Sequence, residues 1–98
     1  MTAISFDEHL RIKAGKDQIS CDLAGEAAIL HLTTGTYFGL DQIGARIWSL
    51  IQQPRTMGEI RDVILDEYEV EASRCEADLA ALLSEMEAAG LVSVENAP

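Results

Sequence analysis

Leu30-His31-Leu32-Thr33-Thr34-Gly35-Thr36-Tyr37-Phe38-Gly39-Leu40-Asp41-Gln42-Ile43-Gly44-Ala45-Arg46-Ile47-Trp48-Ser49-Leu50 is the stretch on which the reading of this chain turns. It opens on the end of one strand. Thr33-Thr34-Gly35-Thr36 is then a tight connection in which glycine is free to take φ > 0. Thr36-Tyr37-Phe38-Gly39-Leu40 follows as a short aromatic strand, and Asp41 is placed to cap an amphipathic helix. A short strand pinned between a turn and a helix has few neighbours of its own. Such an edge offers unpaired N–H and C=O groups to an extended segment of another chain.

Upstream, the chain reads as β. After a lead-in over residues 1–9, Leu10-Arg11-Ile12-Lys13 alternates apolar and polar, and Ala14-Gly15-Lys16-Asp17 turns. Ile19, Cys21 and Leu23 alternate with Gln18, Ser20 and Asp22, the period of a half-buried strand. Ala24-Gly25-Glu26 turns again into Ala27-Ala28-Ile29-Leu30-His31-Leu32, apolar enough for the middle of a sheet. With Thr36 to Leu40 as the last strand, the order is a three-stranded meander ending on an edge.

Downstream, the chain reads as helix. Asp41 caps a first helix with Ile43, Ile47, Leu50 and Ile51 on one stripe and Trp48 at its margin; Pro54 stops it. Thr56 with Glu59 forms a capping box for a second helix bearing Met57, Ile60, Ile64 and Tyr68. Ser73 with Glu76 has the spacing to repeat that box for a third, holding Cys75, Leu79, Leu82, Leu83 and Met86. Gly90 ends it, and Leu91 to Val94 form an extended tail. The expectation is an α+β domain over residues 10–95, winged-helix-like, with a three-stranded antiparallel sheet followed by three helices. On the third helix the apolar stripe is bordered by Arg74, Asp78 and Glu85. Beside them lie the small residues Ala77, Ala81, Ser84 and Ala88, which either admit another backbone or simply face water.

Composition narrows the function. The 98 residues carry 7 Lys+Arg against 17 Asp+Glu, a net charge of −10 that repels nucleic acid. That acidity suits solubility or a basic partner. No apolar run reaches the length of about 20 residues that spans a bilayer, and the N-terminus lacks a secretion signal, so a cytoplasmic protein is expected. Cys21 and Cys75 have no paired spacing, and with His9 and His31 they make neither an expected disulfide nor an expected zinc site. No nucleophile elbow, paired-histidine motif or P-loop lysine is present, so neither catalysis nor a cofactor is expected. His31, alternating with Leu30 and Leu32, points away from the core. Trp48 reads as a core anchor, Phe38 and Leu40 as core, and Tyr37 as an interface residue if it faces outward.

Taken together, Ile29 to Leu32, the turn, Tyr37-Phe38-Gly39-Leu40-Asp41, Gly44-Ala45-Arg46-Ile47-Trp48, the run Pro54 to Ile60, Tyr68-Glu69-Val70 and the ending from Leu79 to Val92 resemble the PqqD family. The resemblance covers Ile19 to Val94. It implies a recognition element for ribosomally made, post-translationally modified peptides, which binds the leader segment of a precursor and presents it to modifying enzymes. The leader adds as a strand beside the third strand of the sheet, in a cleft walled by the third helix. Carried onto this chain, the peptide-binding residues are Thr36, Tyr37, Phe38, Gly39 and Leu40 on the strand. Arg74, Cys75, Asp78, Leu79 and Leu82 form the helix wall. Ala27-Ala28-Ile29-Leu30, in place of a Trp-rich second strand, makes the chain more like the freestanding lasso-peptide type, whose partners are a leader peptidase and a cyclase. The alternatives are a peptide chaperone for a radical enzyme of pyrroloquinoline quinone synthesis and a winged-helix DNA-binding regulator.

Overall fold

A computed structural model of the chain describes residues 4–95, apart from the side chain of Leu23. The alternating first half forms β1 (Arg11–Ala14), β2 (Gln18–Leu23), β3 (Glu26–His31) and β4 (Tyr37–Leu40). Then come α1 (Gln42–Leu50), the short β5 (Arg55–Thr56), α2 (Met57–Glu67), α3 (Ala72–Ala88) and β6 (Val92–Glu95). The expected meander is the antiparallel sheet β2-β3-β4, with the apolar β3 at its centre. β1 belongs elsewhere: it lies between β5 and β6 in a second antiparallel sheet, pairing Ile12 with Arg55 on one side and with Val94 on the other. Ile12 and Ala14 on β1 are buried, as are Leu91 and Val92 at the entry to β6.

β2 and β3 are joined by Ala24 and Gly25, both at positive φ (54° and 89°), the two-residue turn whose twist matches its flanking strands. In β2 the alternation is real but its face is reversed. Ile19 and Cys21 look outward to solvent, and Ser20, opposite Ile29, is exposed as well. β3 and β4 supply the inner face through Ile29 and Leu40, both buried, and half-buried Phe38.

The helix ends follow side-chain chemistry. Asp41 Oδ1 accepts from the Gly44 N–H at 2.8 Å and starts α1. On α1 Ile47, Trp48 and Leu50 are buried, so Trp48 sits inside the stripe rather than at its margin. In α2, Thr56 Oγ1 accepts from the Glu59 N–H at 3.1 Å, and Glu59 Oε1 accepts in return from the Thr56 N–H at 2.9 Å. The expected second capping box does not form. The N-cap of α3 is Glu71, without a side-chain cap, and the Ser73 hydroxyl bonds to the Glu71 carboxylate instead. At its other end α3 closes as a Schellman motif: Gly90 takes φ +76°, Gly90 N–H bonds to Glu87 C=O at 3.0 Å and Leu91 N–H to Met86 C=O at 2.9 Å.

Residues 4–9 of the lead-in lie across α2 and α3. The Ile4 N–H donates to Ser84 Oγ at 2.8 Å, the Phe6 ring sits 5.3 Å from the Arg61 guanidinium, and the Gly58 N–H reaches Glu8 C=O at 3.1 Å. A Cβ on Gly58 would come within 2.9 Å of Glu8, so the close approach needs glycine. Part of the small-residue border of α3 is thus covered by the chain itself at Ser84, and Ala77, Ala81 and Ala88 face solvent.

Candidate functional site

Among the described residues β4 is hydrogen-bonded to β3 alone. In an antiparallel ladder the N–H and C=O of one residue point to the same side, and successive residues alternate. The His31 N–H bonds to the Thr36 C=O at 2.9 Å, and the register runs on through Tyr37 opposite Leu30 and Phe38 opposite Ile29. The alternation therefore turns Phe38 and Leu40 to β3, and leaves the main-chain groups of Tyr37 and Gly39 on the open side. Gly39 keeps that edge bare. A Cβ there would meet nothing nearer than Tyr37 Cε1 at 3.9 Å, so the chain's own packing does not require its absence.

Beside this edge lies a cavity of about 580 Å³, bounded by β4, the start of α1 and one face of α3. Its inner wall is apolar, with Leu40, Ile47 and Leu79 buried and Phe38, Ile43 and Leu82 half-buried. Gly44 lets α1 close tightly on the end of β4: a Cβ there would stand 3.1 Å from Leu40 Cδ2. Charge is confined to the rim, where Asp41, Asp78 and Glu85 outnumber Arg74. Arg74 Nε and Asp78 Oδ2 are 3.7 Å apart and largely exposed, a contact screened by water. Burial pushes the Cys75 thiol above its ordinary range, and the Glu76 and Asp78 carboxylates add to the rise against an opposing pull from Arg61.

Of the ten residues taken from the sequence, Phe38, Gly39, Leu40, Arg74, Cys75, Asp78, Leu79 and Leu82 line the cavity together. Thr36 and Tyr37 do not. Thr36 bonds back into the turn, its N–H donating to Thr34 Oγ1 and its Oγ1 accepting from the Thr34 hydroxyl, and Tyr37 projects from the outer face. The sequence reading left out Ile43, Gly44 and Ile47 of α1, Ile64 of α2 and Val70 of the α2–α3 connection, which complete the apolar wall. Asp41 and Glu85 complete its rim. His31 does not point away from the core as expected. Leu30 and Leu32 take the solvent face, and His31 is half-buried on the other side, beside Gly90. There its Nδ1 accepts from the Thr33 and Thr34 N–H groups, each at 3.3 Å.

Residues 26–92, more than half of the chain, match the family described as coenzyme PQQ synthesis protein D (PqqD). The chain belongs to the PqqD family. Two solved structures carry the likeness further. TbiB1 in complex with the TbiA(beta) leader peptide is 40% identical and superposes with a TM-score of 0.77, over 83% of this chain and 94% of that one. A lasso peptide synthetase B1 complexed with its leader peptide shares the fold at 21% identity, with a TM-score of 0.73 over 84% of this PqqD-family chain and 96% of its own. No curated protein sequence matches the chain.

Proposed function

We propose that this PqqD-family chain binds the leader segment of a ribosomally made precursor peptide as an added strand on β4. In this reading it hands the precursor to the modifying enzymes of lasso-peptide biosynthesis, the leader peptidase and the cyclase. The observation that carries the reading is an unpaired strand edge running along an apolar cavity, in a chain 40% identical to a protein solved with a leader peptide. A strand laid on β4 receives main-chain bonds from Tyr37 and Gly39. Every second side chain then turns into the cavity against Phe38, Leu40, Leu79 and Leu82, while Arg74 and Asp78 flank the entry. Net gains per hydrogen bond are about 0.5–1.5 kcal/mol, so edge bonding holds the leader and the cavity selects its side chains. The chain acts as a carrier and not a catalyst: tethering raises the local concentration of precursor at the enzyme. Ala27-Ala28-Ile29-Leu30, in place of a Trp-rich strand, supports this product class over quinone synthesis, and the charge of −10 disfavours duplex DNA.

Titration calorimetry with the TbiA(beta) leader peptide tests the reading. Binding is expected for the natural chain. Leu82→Asp places a carboxylate in the apolar wall and weakens binding by at least about tenfold, worth 1.4 kcal/mol. Unchanged affinity in Leu82→Asp would exclude this cavity as the leader site.

A further inference from the structure

We infer, on the footing that leader binds at β4, that residues 4–8 are a positioning strap for the groove: they brace α3 from behind, so that strap and leader hold one another in place. Successive residues of a helix are turned by about 100°, so side chains two apart point nearly opposite ways. On α3, Asp78 and Leu82 line the cavity, which puts Glu76, Ala80 and Ser84 on the reverse side. That side is where the strap lies. The Ile4 N–H donates to Ser84 Oγ at 2.8 Å, and the Ser84 hydroxyl donates to the Ala80 C=O at 2.8 Å. Ile4 and Phe6 are half-buried against the core. Arg61 of α2, its side chain only 20% exposed, gathers the rest. Its Nη1 lies 3.2 Å from Glu76 Oε2 and 3.8 Å from Glu8 Oε2, with the Phe6 ring over the guanidinium. Glu8 is seated in turn on the start of α2, where its C=O accepts from the Gly58 N–H at 3.1 Å.

Helix lengths show why α3 needs this support. α3 has 17 residues and α2 has 11. The Arg61–Glu76 contact sets the two antiparallel helices in register, so α2 begins about level with Ala80. Leu82 and Glu85 of the cavity wall lie beyond that point, and the strap stands behind them where a longer α2 would have stood. A wall that gives way by about 0.5–1 Å forfeits roughly a quarter to a half of its dispersion contact with an occupant. Bracing α3 before the leader arrives also spares the cost of ordering it on binding. Phe6, Gly58 and Ser84 therefore act on the leader through α3 and touch no part of it. The coupling is reciprocal: whatever factor the docked strap adds to leader affinity, bound leader adds to strap docking.

Gly58→Ala is the sharpest variant. Its Cβ would stand 2.9 Å from Glu8 Cβ and 3.0 Å from the Glu8 carbonyl oxygen, so the strap must lift, while alanine favours α2 itself. Phe6→Ala removes the ring from Arg61, and Phe6→Tyr keeps it there; neither position lines the cavity. In calorimetry with the TbiA(beta) leader peptide, Gly58→Ala and Phe6→Ala are expected to bind at least about fivefold more weakly, and Phe6→Tyr within about twofold of the natural chain. Hydrogen exchange followed by NMR reads the reverse effect. The Gly58 N–H, in the first turn of α2, has no intrahelical partner, so the Glu8 C=O is what guards it. Saturating leader is expected to slow its exchange at least about fivefold in the natural chain. Unchanged leader affinity in both variants, with lowered melting temperatures, makes the strap merely structural and overturns the proposal. So does a Gly58 N–H whose exchange the leader leaves alone, a measurement that needs no variant to fold. Either result leaves the carrier function standing. A natural chain that binds no leader overturns both.

Discussion

Replacing Tyr37 by proline removes one N–H from the open side of β4 and leaves the β3–β4 ladder whole. Tyr37 is the first residue of the strand, a position that accepts proline, and its side chain is mostly exposed. The residue before it, Thr36, already sits in the ladder through its C=O bond to His31. Loss of one strand hydrogen bond costs about 0.5–1.5 kcal/mol of leader binding, and the ring also obstructs the incoming backbone, so affinity should fall by about tenfold or more. Phe38→Pro is the contrasting case. The Phe38 N–H faces β3 and its ring is half-buried against the core, so this variant loses a ladder bond at about 3 kcal/mol and melts at least about 10 °C lower. Tyr37→Ala separates the loss of the ring from the loss of the donor. Calorimetry with the TbiA(beta) leader and thermal melts followed by circular dichroism measure both effects. If Tyr37→Pro melts normally and binds leader as well as Tyr37→Ala does, strand addition at β4 is wrong.

Three further outcomes are expected. Cys21 is exposed while Cys75 is buried at the cavity wall with a raised pKa, so iodoacetamide at pH 8 should label Cys21 faster by about tenfold. Saturating leader should slow Cys75 alone; protection of neither thiol contradicts the groove, as read by mass spectrometry of the labelled peptides. Thr56→Ala breaks the capping box of α2 and should cost about 1 kcal/mol, whereas Ser73→Ala should be close to neutral, in denaturant titration. Arg46 holds Glu67 through paired bonds of 2.8 Å and lowers its pKa. A carboxylate lowered on folding stabilises above its unfolded pKa of about 4.3, and that contribution disappears as the pH falls through the lower folded value. The melting difference between the natural chain and Glu67→Gln should stay constant from pH 8 to about pH 5 and shrink in stronger acid; a constant difference down to pH 2 removes this account.

What the sequence disclosed was whatever is local. The turn before β4, the Asp41 cap and the α1 start are contiguous, so their chemistry was legible residue by residue, as was the Thr56–Glu59 box. The α3 wall was legible as one helix face, since Arg74, Cys75, Asp78, Leu79 and Leu82 recur at helical spacing. Ile43, Ile47, Ile64 and Val70 were not separable from core residues, because an apolar side chain is the same whether it meets a neighbour or a cavity. Ile19 was misread for a related reason. Alternation tells which residues share a face, and only the packing of distant elements tells which face is covered. Ser73 had the spacing of a cap, but α3 begins at Ala72, before Ser73 could stand at its N-cap. The second sheet was hidden because β1 finds its partners some forty and eighty residues downstream: β5 is only two residues long, and the extended segment from Leu91 gave no sign of the strand it pairs with.

That second sheet gives the order in which a nascent chain completes itself. The residues lining the cavity end at Glu85, whereas β1 acquires its longer neighbour only when Val92–Glu95 has left the ribosome. Until then β1 has two-residue β5 on one flank and nothing on the other. A copy cut short before Val92 would keep the full cavity lining and still be sticky along Arg11–Ala14, and so would be cleared or would aggregate before it could compete for substrate.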